Sequence, residues 1–200
     1  MNKSKAIVLT VSVAAAVAVA VAVAVIVLRH KRKGNMNGEK TAKGLVKYAQ
    51  AQLGRPYWWG TSGQISNPVL LASLQRLYPS QYNQPMYADA PNQMGVKVHD
   101  CMGLIEGYFW SPDADTAAVY NSNGFTDTTA DNLYAQATEK GDISTIPEVA
   151  GLAVHMGKHI GIYEGNGNVI EARGHKYGVV RTKLSERPWQ HWLKIPQLKY

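Results

Sequence analysis

The pattern of apolar and polar positions changes twice along the chain. From Ala6 to Leu28 there is no alternation: AIVLTVSVAAAVAVAVAVAVIVL is apolar except at Thr10 and Ser12. These 23 residues can cross a hydrocarbon core of ~30 Å, which takes about 20 helical residues. A strand in lipid must belong to a closed barrel, which one segment cannot build. A single transmembrane helix is therefore expected, as an anchor or as the apolar part of an export signal. Residues 1–33 are read as this segment with its basic flank, and GNMNGEK over 34–40 as a linker.

Helical spacing follows. Thr41 reads as an N-cap, with Leu45, Tyr48, Ala49 and Leu53 on one face and Gly54 as the stop. Arg55 to Gly60 breaks the pattern and is read as loop. A second helix is predicted over Pro68–Tyr78, carrying Val69, Leu70, Ala72, Leu74 and Leu77, with proline suited to its first turn. Residues 79–97, rich in Pro, Gln, Asn and Gly, are read as a surface loop. Leu104, Ile105, Tyr108 and Phe109 recur at helical spacing until Ser111-Pro112. A further helix is expected from Thr129 to Lys140, stopped by Gly141.

Beyond Pro147 the period shortens. Val149–Met156, His159–Glu164, Val169–Arg173, Val179–Leu184 and Trp192–Ile195 are β-prone runs, most of them separated by Gly, Asn or Pro. Helices first and strands afterwards predict an α+β domain over 41–200, with helices packed on an antiparallel sheet.

Charge sharpens this division. Residues up to Lys40 hold seven of the 21 Lys and Arg but one acid, Glu39. From Thr41 onward 14 basic and 13 acidic residues leave a net charge of +1. The basic character belongs to the apolar segment's flank, where RHKRK suits lipid headgroups, and no basic face is left for nucleic acid. The larger Lys and Arg count on the C-terminal flank would, by the positive-inside rule, place the domain in the cytoplasm. A single cysteine permits no internal disulfide, so the domain relies on its core.

That cysteine is the candidate for chemistry. In VHDCMGLIEGYFW, Cys101 follows Asp100 and opens a helical pattern. Unpaired N–H groups and the positive end of the helix dipole meet there, an environment expected to lower a thiol from its usual ~8.5. A free cysteine is more often inert packing, so a partner base is needed. KHIGIYEGNGNVIEAR reads as a hairpin with His159 at its start. Loop geometry leaves the third member open. A three-residue loop centred on Gly165 sets His159 opposite Glu171, and one centred on Gly167 sets it opposite His175. A two-residue Asn166-Gly167 turn puts Glu171 on the wrong face.

Asp-Cys-x-Gly-Leu opening a helix, then His-Ile-Gly-Ile-Tyr-x-Gly-Asn-Gly, resembles the NlpC-type cell-wall cysteine endopeptidases, which are papain-like. Tyr57-Trp-Trp-Gly60 and Val169-Ile-Glu-Ala-Arg-Gly174 extend the resemblance over about 42–200. Val-His-Asp-Cys, Ile-Glu-Ala-Arg-Gly and the closing Arg-Pro-Trp look like the phage-type lysins of that group.

The resemblance implies Cys101 as nucleophile, His159 as general base and Glu171 as the third polar residue, where many relatives carry histidine. It implies Tyr57 near the reacting centre and Asp100 contacting substrate or supporting the loop. Met102 stands in place of the group's usual serine. The implied activity is a membrane-tethered peptidoglycan hydrolase cutting stem peptides beside D-glutamyl residues. The catalytic domain would lie outside the cell, held by residues 6–28, against the positive-inside reading. No cofactor, metal or nucleic acid is expected, and the protein is expected to be a monomer. Two other readings remain at this point: a non-catalytic wall-binding module, and a thiol amidase or acyltransferase of the same fold.

Overall fold

The computed structural model describes residues 39–200. The apolar run 6–28, its basic flank and most of the linker lie outside the described residues. Among those described, no helix is long and apolar enough to cross a membrane.

Helix α1 spans Ala42–Ala51, and the Thr41 hydroxyl caps it by accepting the Gly44 N–H at 3.0 Å. Strand β1 (Ser62–Ile65) and helix α2 (Pro68–Leu77) come next, the latter capped by Asn67, whose side chain accepts the Leu70 N–H. A one-turn helix α3 (Pro79–Tyr82), two 3-10 turns and strand β2 (Lys97–His99) lead to the cysteine. Helix α4 (Gly103–Trp110) follows it, and helix α5 covers Ala130–Gln136.

Six strands then form one sheet: β3 (Lys140–Asp142), β4 (Ala153–Met156), β5 (His159–Gly165), β6 (Asn168–Ala172), β7 (Val179–Lys183) and β8 (His191–Leu193). Its order is β3-β8-β4-β5-β6-β7, with every pairing antiparallel. Period-2 alternation divides the side chains between its faces. Ala153, Ile160, Ile162, Ile170 and Ala172 meet Leu45, Leu104, Ile105 and Phe109 of the helices. Val154, Tyr163 and Val169 turn the other way and pack with Trp189. The fold is therefore α+β, with helices on an antiparallel sheet.

Three expectations need correction. Residues 79–97 are not a loose surface loop. Tyr82, Tyr87 and Ala90 are buried with Trp58, Leu71, Leu74 and Val98 in a separate small core. The segment's polar composition hid aromatic anchors, which the Trp58 indole supports by donating to Gln93 Oε1 at 2.7 Å. In α2 the buried stripe is Leu71 and Leu74, while Val69 and Leu77 face solvent. Burying such a leucine stabilises by about 1.5–3 kcal/mol, and this small core accommodates only that stripe. The helix expected from Thr129 to Lys140 stops at Gln136, because Lys140–Asp142 pairs with β8 as an edge strand.

Candidate active site

The segment before the cysteine is held rigidly. Lys97 is fully buried and donates to Ser111 Oγ at 2.9 Å and to Tyr48 Oη at 3.2 Å. Burial pushes its ammonium down to about 8. His99, buried completely, faces the Gly103 carbonyl through Nδ1 and Gln52 Oε1 through Nε2, each at 3.2 Å. Burial drives its imidazole down to about 3, so it is neutral.

Asp100 makes the turn that carries the cysteine. One carboxylate oxygen accepts the Gly103 N–H at 2.7 Å, and its carbonyl accepts the Leu104 N–H at 3.1 Å, as an N-cap does. The other oxygen accepts the Gly60 N–H at 2.9 Å. Asp100 thus clamps the Trp58-Trp59-Gly60 loop to the start of α4. Burial raises it to about 6, with these N–H bonds acting against the rise. Gly103 is required here, because a Cβ on it would lie 1.9 Å from the Thr61 carbonyl oxygen.

Cys101 sits in this capped turn, half-buried, two residues before the regular helix. Its Sγ lies 3.9 Å from the Lys158 carbonyl oxygen. Burial, and then the carboxyl of Asp100, push the thiol up to about 12, while the Met102 and Ile160 N–H groups pull the other way. The expected lowering by the helix start is therefore overturned. Desolvation and a neighbouring acid outweigh a few backbone dipoles. Tyr57 is buried beside these groups. Burial, then Asp100, then Cys101, raise its phenol, which stays neutral.

His159 opens β5, on the strand that follows Lys158. Its Nε2 meets Glu171 Oε2 at 2.7 Å, and its ring stacks on Trp189 with centroids 5.5 Å apart. Glu171 is fully buried, and Thr182 Oγ1 donates to its Oε1 at 2.9 Å. Arg187 Nε lies 3.1 Å from the same oxygen but off the N–H direction, an ion pair without a hydrogen bond. Burial acts to raise this carboxyl, but the His159 and Thr182 bonds and the Arg187 charge outweigh it and hold Glu171 below the usual range.

The register that permits this contact depends on a bulge that loop length alone does not show. The β5–β6 hairpin does turn at Asn166-Gly167, with positive φ of 51° and 68°, and Gly165 pairs with Asn168. Yet Glu171 is not on the wrong face. Glu164 forms a bulge, so that Tyr163 pairs with Val169 and Ile162 with Ile170. One extra residue reverses the parity of everything beyond it and returns Glu171 to the His159 face. His175 lies elsewhere: its Nδ1 meets the Tyr57 carbonyl at 2.9 Å and its ring packs on Tyr87.

Trp189, Arg187 and Thr182 were not singled out as site residues. Only the Arg-Pro-Trp motif hinted at Arg187 and Trp189, without a role, and nothing marked Thr182. A cleft of about 400 Å³ opens beside Asp100 and Met102, walled by Trp59, Tyr78 and Tyr120 over Glu106 and Asp127. Among the described residues, no three His, Cys, Asp or Glu side chains are grouped so as to hold a metal ion.

The chain matches the model of the NlpC/P60 family over residues 54–197. Solved structures similar to it include NlpC2 from Trichomonas vaginalis, at 18% identity and a TM-score of 0.46, covering 79% of this chain and 49% of that one. The P60 domain of an antigen from M. avium subspecies paratuberculosis is 20% identical, with a TM-score of 0.47, covering 80% of this chain and 96% of that one. The peptidoglycan hydrolase RipB from Mycobacterium tuberculosis is 18% identical, with a TM-score of 0.45, covering 80% and 65%. The chain spans about half the length of the Trichomonas protein. No curated protein sequence matches it.

Proposed function

The chain belongs to the NlpC/P60 family, and on that premise we propose that it is a cysteine endopeptidase of peptidoglycan stem peptides, with Cys101 as nucleophile and His159 as base. The observation that carries this reading is the line from the buried carboxylate of Glu171 through His159 Nε2 to the turn facing Sγ. A carboxylate can only accept, so Nε2 bears the hydrogen and Nδ1 is left free to take a proton.

Chemistry follows from a neutral resting thiol. As Sγ forms a bond to the amide carbon, its proton passes to His159 Nδ1. Glu171 then faces an imidazolium, which its buried negative charge stabilises. The carbonyl oxygen becomes an oxyanion for backbone N–H groups at the helix start, that of Cys101 among them. Collapse breaks the C–N bond, and the imidazolium gives its proton to the leaving amine. Water, deprotonated by His159, then cleaves the thioester and returns the thiol.

Within this proposal the scissile bond lies beside a D-glutamyl residue, and the apolar run 6–28 tethers the domain at the outer face of the membrane. Protease added to intact cells would then release the domain, whereas a cytoplasmic domain would survive until lysis. Digestion of purified sacculi by the full-length chain tests the activity. Wild type should release peptides with new amine and carboxyl ends, and Cys101→Ala should release none. Wall binding by both without release would instead identify a non-catalytic module. Release from lipid alone would identify an acyltransferase.

A further inference from the structure

The turn just before His159, whose Lys158 carbonyl faces the Cys101 sulfur, is held by a residue outside this line. Strands β4 and β5 are joined through Gly157 and Lys158, with Met156 paired to His159. Lys158 takes a φ of +64°, a left-handed conformation that side chains other than glycine disfavour. Its carbonyl is the group 3.9 Å from Sγ. Asp131, in the first turn of α5, holds this conformation. Its Oδ1 accepts the Lys158 N–H at 2.8 Å and also the His155 Nε2–H at 2.8 Å. His155 is itself fixed, buried and stacked on Tyr134 with centroids 4.7 Å apart and planes 1° from parallel. Its Nδ1 is buried without a partner, so the ring's hydrogen belongs on Nε2, toward Asp131.

We propose that Asp131 is a positioning residue for the reaction: by binding the Lys158 N–H it locks Lys158 in its left-handed conformation and so presents His159 to Cys101. One carboxylate oxygen ties the helix, the end of β4 and the turn together. Without it Lys158 relaxes to a negative φ, and the residue after it, His159, shifts against the sulfur. A displacement of that size disturbs proton transfer far more than binding.

The reading rests on the proposed Cys101 and His159 roles, so the test uses two readouts on the full-length chain. One is hydrolysis of sacculi. The other is alkylation of Cys101 by iodoacetamide at neutral pH, clean because the chain has one cysteine. Asp131→Ala should lower kcat and the alkylation rate about tenfold, leaving KM near the wild-type value. Asp131→Asn keeps an accepting oxygen and should behave as wild type. Adding Lys158→Gly to Asp131→Ala should restore both rates, because glycine takes a positive φ freely. Wild-type kcat and alkylation in Asp131→Ala would overturn the proposal. So would a loss that follows Tm and resists rescue by Lys158→Gly. If the wild type digests no peptidoglycan while alkylation still responds and is rescued, the positioning stands and the peptidase reading falls.

Discussion

Cys101 is held toward the thiol rather than the thiolate. Burial and the Asp100 carboxyl push it up to about 12, so ionisation has to accompany attack and depends on His159 being held in one tautomer. In the proposed mechanism Glu171 does this holding, through its 2.7 Å contact with His159 Nε2. Glu171→Gln places an amide N–H or an uncharged oxygen against Nε2 and releases the tautomer, so kcat should fall on the order of 10³-fold while the fold is kept. Stability carries a pH signature of the same residue. Its folded pKa is lowered, so the ionised carboxylate stabilises the fold above the usual carboxylate range, and this contribution is lost as pH falls through the lowered value. The Tm gap between wild type and Glu171→Gln should therefore be open at pH 7 and close in acid. An equal gap at both ends would contradict a carboxylate held ionised by the His159 and Thr182 hydrogen bonds and the Arg187 charge. Sequence alone singled out Cys101 and His159 as candidates by residue type and placement, and Glu171 through the family resemblance. It gave the wrong sign for the thiol, because spacing carries no information about desolvation.

Among the elements, the β5–β6 hairpin decides whether the site exists. Asn166-Gly167 is legible as a turn, since both positions need positive φ. The bulge at Glu164 is not legible, because a charged residue between Tyr163 and Gly165 looks like any solvent-facing strand position. Its side chain pairs with Arg181 at the surface, which gives no hint that the backbone has slipped. Deleting Glu164 should remove the extra residue, turn Glu171 away from His159 and lower kcat/KM by on the order of a hundredfold or more. Glu164→Gln keeps the bulge and should keep activity. Full activity in the deletion would show that parity is set elsewhere. The same blindness to tertiary pairing explains Lys140–Asp142, where an apparent helix end becomes an edge strand once β8 is beside it.

At the scale of the whole molecule, the proposed site is a meeting of two layers. The helical layer supplies Cys101 on a turn clamped by Asp100, and the sheet supplies His159 and Glu171. The segment between Gly60 and Asp100 adds its own small core and one wall of the cleft. Fold class was readable from the change of period near Pro147, since periodicity survives without knowledge of neighbours. Packing of residues 79–97 was not, because Tyr82 and Tyr87 stand in a polar stretch and their burial depends on Trp58, Leu71, Leu74 and Val98 elsewhere in the chain.

The central claim is that one sulfur performs the cleavage, and a titrated alkylation tests it most directly. Full-length protein is treated with increasing iodoacetamide, and each sample is split between intact-mass measurement and sacculus digestion. Hydrolysis should fall in proportion to the fraction modified at Cys101 and vanish when modification is complete. Undiminished hydrolysis by fully alkylated protein would contradict it.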